Sequence, residues 1–394
     1  MSSKGSSAEV FRAFLTLGLT SFGGPVAHLG YFRETFVIRR RWVSEADFAD
    51  LVALCQFLPG PASSQVGFAL GVMRAGGLAG GLAAFIAFTL PSAVALLVCG
   101  LGIGTLSGDR LSGMIHGLKL VAVAVVAHAL WGMARSLAPD RPRAGIALAG
   151  LALTTLGAGI LGQTMSIAMG AAAGLLLCRG DGPAPVGHIH VPVSRKVGAA
   201  VLVLAVGLLV ALPLLASLGS HGVAFFDAFY RSGALVFGGG HVVLPLLQAA
   251  VVGPGWVTAS DFLAGYGLAQ AVPGPLFTFA AYLGAVAHMA PNGVAGGLLA
   301  TIAIFLPGLL LVYGALPFWD ALRKRPRAQA AMRGAGAAVV GVLAAAFYDP
   351  VWTSAIGNGV DFLLAAAGFL ALSLWRAPPW TVVVLLAGAG TLLA

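Results

Sequence analysis

Phe57-Leu58-Pro59-Gly60-Pro61 places two prolines and a glycine inside an apolar stretch, and the pattern returns as Ala271-Val272-Pro273-Gly274-Pro275. Gln56 and Gln270 each stand three residues before the first proline of their copy. Proline removes a backbone donor and clashes with the preceding helical turn, so a regular helix should end at each site. The two copies therefore predict two helices that are broken at matched positions.

The composition around these breaks is that of a membrane protein. The 394 residues are 59% hydrophobic and 9% charged, and the mean hydropathy is +0.96. Soluble proteins carry about 25% charged residues. We therefore predict an all-α polytopic membrane protein. The net charge of +9 is assigned to basic loops between apolar stretches, which makes a nucleic-acid partner unexpected.

The chain divides into two copies of one unit. Six apolar stretches precede a single stretch at 197–216, and six more follow it. Phe22-Gly23-Gly24-Pro25 matches Phe237-Gly238-Gly239-Gly240, and the offset between collinear motifs stays within 214 to 216 residues. Such matches indicate an internal duplication. We predict an N-terminal repeat at 1–178, a linker with one connecting span at 179–222 and a C-terminal repeat at 223–394.

The connecting span gives the repeats opposite orientations, because an odd number of crossings separates them. Inverted repeats of this kind are common in secondary transporters. Basic residues favour the cytoplasmic side, and all basic loops lie inside if the first two stretches of each repeat are re-entrant hairpins. This gives about nine full spans plus four re-entrant hairpins, with the N-terminus inside. The alternative is thirteen full spans, which puts the loop at 33–41 outside.

The broken stretches have the chemistry of an anion site. A half-helix that begins after a break offers free N–H groups and the positive end of its dipole, and Ser63 and Ser64 add hydroxyl donors after the first break. Consecutive glycines, as in the Phe-Gly-Gly motifs, let N–H groups converge on an anion. The alternative for both motifs is a structural kink or close helix packing.

Charged residues in apolar stretches complete the candidate site, since they are costly in lipid. Lys119 and Arg231 are the cations of this kind that we select. Ser44-x-x-Asp47 and Thr258-x-x-Asp261 are interpreted as helix caps. The candidate substrate-binding residues are Gly23, Gly24, Gln56, Pro59, Gly60, Pro61, Ser63, Ser64, Lys119, Arg231, Gly238, Gly239, Gly240, His241, Gln270, Pro273, Gly274 and Pro275.

The motifs together resemble the chromate ion transporter family in its two-domain bacterial form. The resemblance rests on Phe22-Gly23-Gly24-Pro25, Arg40-Arg41-Trp42-Val43-Ser44-Glu45, Leu58-Pro59-Gly60-Pro61, Ala269 to Pro275 and Tyr348-Asp349-Pro350-Val351-Trp352. It covers nearly the whole chain. Ala62 is a departure, because some family members carry an acid directly after the first Pro-Gly-Pro.

The resemblance implies a transporter of the bacterial plasma membrane that exports chromate, driven by the proton motive force. Sulfate or another oxyanion is the alternative cargo, and a membrane-embedded enzyme is the lesser alternative. The enzyme is disfavoured because the sequence has no acid/base or metal-binding motif. We expect an oxyanion, protons and the lipid bilayer as partners, with no cofactor and no metal; a homodimer is left open.

Overall fold

Helices make up all the regular secondary structure in the part of the chain that the structure describes. The structure is a computed structural model, and it describes residues 5–103, 109–157, 159–178, 191–237, 240–322 and 325–393. Five helical stretches in this part are long and apolar enough to cross a membrane: Leu78–Gly102, Ser112–Leu137, Arg195–Ala216, Gly293–Phe318 and Pro326–Ala355. The prediction of an all-α polytopic membrane protein is therefore confirmed.

The N-terminal repeat consists of two interrupted segments followed by four helices. Its first segment continues beyond α2 as a π-helical stretch, Arg33–Arg39. The α-helices are α1 (Ser7–Thr20), α2 (Gly24–Phe32), α3 (Glu45–Phe57), α4 (Ala62–Ala75), α5 (Leu78–Ile103), α6 (Asp109–Leu137), α7 (Arg141–Leu156) and α8 (Gly159–Leu177).

The second set of helices repeats this order after the connecting helix α9 (Arg195–Ala216). Short 3-10 or π stretches at Gly240–Val242, Gln248–Val252, Leu276–Thr278, Leu316–Phe318 and Phe347–Trp352 extend or join the α-helices. The α-helices are α10 (His221–Ala234), α11 (Val243–Leu247), α12 (Ala259–Ala269), α13 (Phe279–Val286), α14 (Gly293–Ala315), α15 (Trp319–Leu322), α16 (Pro326–Ala346), α17 (Thr353–Ala355), α18 (Gly359–Ser373) and α19 (Pro379–Leu393).

The arms of the interrupted segments are short. The 14 residues of α1 extend about 21 Å at 1.5 Å per residue, whereas the hydrocarbon core of a bilayer is about 30 Å thick. One such arm does not cross alone, so two arms must share a crossing or form a hairpin. The number of full spans and the re-entrant hairpins therefore remain predictions.

The two repeats exchange their last helices. The pair α7 and α8 packs on α16 of the second repeat, and α18 and α19 pack on α6 of the first. Small residues permit this contact: a Cβ added at Gly334 of α16 would collide with the carbonyl of Gly170, and one at Gly390 of α19 with the carbonyl of Gly113. Each repeat thus completes its packing with helices of the other.

The two matched acidic motifs are helix caps, as predicted. The Ser44 hydroxyl accepts a hydrogen bond from the Asp47 amide at 3.1 Å and donates one to the Asp47 carboxylate at 2.7 Å. Thr258 and Asp261 make the same pair of bonds at the start of α12. The two hydroxyls therefore satisfy the helix-terminal amides, and the carboxylates hold these hydroxyls in place.

Candidate functional site

Each Pro-Gly-Pro motif is bonded to the glycine break of the other repeat. The amide of Gly60 donates to the carbonyl of Val236 at 2.7 Å, and the amide of Gly274 donates to the carbonyl of Ser21 at 2.9 Å. Ser21 and Val236 stand directly before the matched Phe-Gly-Gly motifs. The two bonds therefore form a reciprocal pair across the duplicated fold, and these glycine N–H groups are occupied by protein acceptors.

Glycine is required in both motifs by backbone conformation and by space. The φ angles are +123° at Gly60 and +108° at Gly274, in the region that side chains rarely enter. A Cβ at Gly60 would stand 3.0 Å from the Cα of Gly308 on α14, and a Cβ at Gly274 would stand 2.7 Å from the Ser92 hydroxyl on α5. Ser92 follows Pro91 of α5 and Gly308 follows Pro307 of α14, and these two prolines stand 216 residues apart, at the offset of the duplication. Each break therefore packs on the proline turn of the opposite repeat.

A small cavity lies where the first glycine break meets the second Pro-Gly-Pro. We call it the crossing cavity, and its volume is about 20 Å³. This is room for about one water, so a tetrahedral oxyanion requires the cavity to widen. Its lining consists of Gly23, Gly24, His241, Ala269, Gln270, Val272, Gly274, Leu276 and Pro379.

Several residues that line the crossing cavity carry hydrogen-bond donors. Gly23 and Gly24 have φ angles of +101° and +77°. Gly23 precedes the nine-residue helix α2 and Gly24 begins it, and the free N–H groups of its first turn form the positive end of the helix dipole. The Nε2 of Gln270 is buried and has no partner among the described residues. A buried donor without an acceptor costs about 1–3 kcal/mol, which a bound anion would offset.

His241 supplies a further donor through its neutral tautomer. Its Nδ1 lies 2.7 Å from the hydroxyl oxygen of Tyr266, and this hydroxyl is buried with no other partner within the described ranges. A neutral imidazole that accepts from this hydroxyl at Nδ1 carries its proton on Nε2. No carboxylate is among the described residues that line the cavity, so the lining suits an acceptor-rich anion.

His28 connects the first glycine break to the start of α4. Its Nε2 lies 3.2 Å from the carbonyl oxygen of Ser21, and its Nδ1 lies 3.3 Å from the hydroxyl oxygen of Ser63. Since a carbonyl can only accept, Nε2 donates to Ser21 and Nδ1 accepts from Ser63. The Ser21 carbonyl thus receives both His28 and Gly274. Sequence reasoning did not select His28; its position one helical turn after Gly24 was the available signal.

The start of α4 has a second polar group of interest. Gln65 is fully buried, and its Nε2 donates to the carbonyls of Pro59 and Gly308 at 2.9 and 3.0 Å. It thereby satisfies a carbonyl released by the first Pro-Gly-Pro and ties it to α14. The neighbouring Ser64 hydroxyl is buried without a partner among the described residues.

The structure separates the remaining candidate residues from the crossing cavity. Gln56 is exposed at the end of α3, and Lys119 is half-buried on α6 within electrostatic reach of Asp261. Arg231 forms an ion pair with Asp227 in another cavity. Gly238 and Gly239 lie outside the described residues.

The other predicted residues lie at or beside the breaks. Gly240 is buried, and a Cβ there would stand 3.3 Å from Pro25. The first Pro-Gly-Pro has Pro59 half-buried and Pro61 buried, and the second has Pro273 half-buried and Pro275 buried.

Comparison with known proteins identifies the family. The model of the family described as "Chromate transporter" matches twice, over residues 8–177 and 223–392. The chain belongs to the chromate transporter family. The chromate transporter model matches once in each repeat, and the connecting helix α9 lies between the two matches.

Named relatives agree with this family. A chromate transport protein of Pseudomonas aeruginosa is 27% identical over 96% of this chain and 90% of its own length. A probable chromate transport protein of Synechococcus elongatus is 27% identical over 86% of the chain and 83% of its own length. A chromate transport protein of Cupriavidus metallidurans is 27% identical over 86% and 81%, respectively. No solved structure matches the chain.

The family assignment fixes the class of protein. Chromate transporters are membrane transporters rather than enzymes. Together with the helical stretches that are long and apolar enough to cross a membrane, the assignment makes this chain a multi-pass protein of the bacterial inner membrane with a role in chromate transport.

Proposed function

We propose that the chain exports chromate from the cytoplasm and that the oxyanion binds in a widened form of the crossing cavity. The observation that carries this proposal is the lining: Gly23, Gly24, His241 and Gln270, all of which carry N–H groups, line one space between the two repeats, and no described carboxylate lines it. Family membership supports chromate as the cargo.

Neutral donors perform the binding in this proposal. Hydrogen bonds to a charged acceptor are roughly twice as strong as neutral ones, and a helix N-terminus favours negative charge. Because Lys119 and Arg231 lie elsewhere, no cation has to be desolvated at the site. A dianion held by dipoles alone can also leave again, which transport requires.

In alternating access, the two reciprocal backbone hydrogen bonds break and re-form in turn. Opening the crossing cavity separates the first glycine break from the second Pro-Gly-Pro and strains the bond from Gly274 to Ser21. A hydrogen bond contributes about 1 kcal/mol net, so exchanging one such bond between two states is a small cost. We infer that inverted repeats with re-entrant hairpins let the hydrogen bond from Gly274 to Ser21 break while its counterpart, from Gly60 to Val236, stays intact.

The membrane potential favours the proposed direction. Moving one charge across 100 mV is worth about 2.3 kcal/mol, so a dianion leaving a negative interior gains about 4.6 kcal/mol per 100 mV. The proton motive force thus drives export through its electrical component. His241, which can take a proton at Nδ1 if Tyr266 reverses its hydroxyl, is the group in the cavity that could add proton coupling.

Everted membrane vesicles test the proposal, because export becomes uptake. Vesicles with the wild-type chain should accumulate radiolabelled chromate, and Gln270→Ala should reduce the uptake while leaving protein in the membrane. Unlabelled sulfate is added in a parallel series to test the alternative cargo. If unlabelled sulfate suppresses the uptake as strongly as unlabelled chromate does, the chain transports oxyanions in general. Absence of chromate uptake by a well-expressed wild-type chain would refute the proposal.

A further inference from the structure

We propose that a second oxyanion site lies beside α10 and that it accepts oxyanions that carry a proton. The site is a cavity that we call the arm cavity. It is lined by Asp227, Arg231, Ser232, Leu246 and Trp256 and by five other residues of the same segments, all of them apolar. The inference rests on the proposed function only for chromate as the physiological ligand.

The arm cavity has the space that the crossing cavity lacks. Its volume is about 210 Å³, against about 20 Å³ at the crossing. It lies between α10 and the segment formed by α11 and Gln248–Val252, with Trp256 on the following loop. A tetrahedral oxyanion with a partial hydration shell fits this volume without rearrangement of the helices.

Asp227 and Arg231 face this space as an incompletely satisfied ion pair. An Nη of Arg231 donates to Oδ2 of Asp227 one helical turn away. Oδ1 of Asp227 is buried and accepts no hydrogen bond from any described residue. The guanidinium has five N–H donors. Within the described part of the chain, Asp227 is the residue to which it donates. The pair therefore leaves several donors and one acceptor unused.

This donor and acceptor set matches a protonated oxyanion. The oxygens of the anion can accept from the unused N–H groups of Arg231, while its O–H group donates to Oδ1 of Asp227 after a rotation of this buried carboxylate. The Ser232 hydroxyl already donates to the carbonyl of Ala228 at 2.7 Å. A fully deprotonated dianion has no proton to donate and would place an oxygen against the carboxylate, which costs free energy in a low-dielectric site. Asp227 thus rejects an oxyanion that lacks a proton.

Chromate and sulfate differ in this property. Chromate takes up its first proton near neutral pH, as phosphate takes up its second, whereas sulfate is protonated only in strong acid. A tetrahedral shape does not separate the two anions, but a carboxylate acceptor does. The arm cavity therefore discriminates hydrogen chromate from sulfate.

At the matched positions of α1 the first repeat forms the same helix without an ion pair. Arg12 and Thr16 stand where Asp227 and Arg231 stand in the second repeat, at the offset that also matches the buried Phe14 to Phe229. Arg12 and Thr16 are exposed, and Arg12 makes no ion pair in the described part of the chain. Charged residues in an apolar segment of a membrane protein are costly, and the matched segment of the first repeat does not carry this ion pair.

The test uses the purified full chain in detergent and the fluorescence of Trp256. Phosphate, which carries a proton at neutral pH, should change the emission, and sulfate should not. Trp256→Phe should remove the change and so assign the signal to the arm cavity. Asp227→Asn should improve sulfate affinity by at least about tenfold, since an amide can donate to the anion. Asp140→Asn removes an exposed carboxylate outside both cavities and should change nothing.

Two controls separate this inference from the proposed function. Gln270→Ala should leave the Trp256 response to phosphate intact, because Gln270 lines the other cavity; a response that persists when chromate transport is absent supports the arm cavity alone. Binding of radiolabelled chromate to the Gln270→Ala chain should weaken as the pH rises above the pKa of hydrogen chromate. This measurement tests the arm cavity without a substitution at Asp227. Equal responses to sulfate and phosphate in the wild-type chain, or undiminished rejection of sulfate by a folded Asp227→Asn chain, would overturn the inference.

Discussion

The amide of Gly274 donates a hydrogen bond to the carbonyl of Ser21, 253 positions earlier in the sequence. Its counterpart runs from Gly60 to Val236 in the opposite sense. The two breaks of each repeat are therefore completed by the other repeat, and the crossing cavity exists because they meet. Changes at this meeting point should affect transport more than folding.

Alanine at the Pro-Gly-Pro glycines should impair transport to different degrees. Gly60→Ala should be the more damaging, because its Cβ meets the backbone of Gly308, whereas the Cβ at Gly274 meets the Ser92 hydroxyl, which can move. Both also incur about 1–2 kcal/mol for a side chain at positive φ. The measurement is the initial rate of chromate uptake into everted vesicles, normalised to protein abundance. Gly207→Ala on α9, where a Cβ meets nothing within 4 Å, is the control, and a Gly60→Ala chain as active as this control would contradict the packing argument.

The two matched glutamines should behave differently. Gln270 lines the crossing cavity, and Gln56 is exposed. Gln270→Ala should weaken chromate binding about tenfold or more, because a hydrogen bond to a charged group contributes about 1.5–3 kcal/mol. Gln270→Glu should weaken it further by adding negative charge. Gln56→Ala should bind as the wild type does. Equilibrium dialysis with radiolabelled chromate measures all four chains, and equal losses at both glutamines would argue for a symmetric site.

His28→Ala should lower both stability and transport. The change removes the partner of the Ser63 hydroxyl and one donor to the Ser21 carbonyl, and a buried group left unsatisfied costs about 1–3 kcal/mol. Thermal unfolding of the detergent-solubilised chain should therefore shift downward. His288 is exposed, so His288→Ala is the matched control. An unchanged unfolding temperature for His28→Ala would show that these hydrogen bonds do not hold the two breaks together.

Topology can be tested at the basic loop after α2. In the hairpin arrangement Arg40 lies on the cytoplasmic side, and in the arrangement of thirteen full spans it lies outside. An Arg40→Cys chain, in a background with Cys99→Ala, should react with an impermeant thiol reagent in everted vesicles and stay unreactive in intact cells. Labelling in intact cells would support thirteen spans. The native Cys55 and Cys178 are buried and should not contribute.

Sequence reasoning predicted the features that depend on local chemistry. The paired prolines of each Pro-Gly-Pro motif end a helix, so the breaks after Phe57 and near Pro273 were predictable; the single prolines Pro91 and Pro307 lie inside helices that continue past them. The caps at Ser44 and Thr258 follow from a three-residue spacing, and the helical, polytopic class follows from hydropathy.

The sequence did not predict which distant segments meet. The bond from Gly274 to Ser21 joins backbone atoms, which have no sequence signature. Lys119 and Arg231 were expected near the substrate because both are cations in apolar stretches, but the helix face of each decides its neighbours. The exchange of α7 and α8 onto α16 depends on small residues that occur throughout this glycine-rich chain.

The central claim is that chromate crosses the membrane through donors at the crossing cavity, driven by the membrane potential. The most direct measurement is radiolabelled chromate uptake into everted vesicles that hold an imposed inside-positive potential, with the wild-type, Gln270→Ala and Gln56→Ala chains at equal abundance. We predict uptake that rises with the potential in the wild-type and Gln56→Ala vesicles and falls about tenfold with Gln270→Ala at subsaturating chromate. Uptake that ignores the potential, or a Gln270→Ala chain as active as the wild type, would contradict the account.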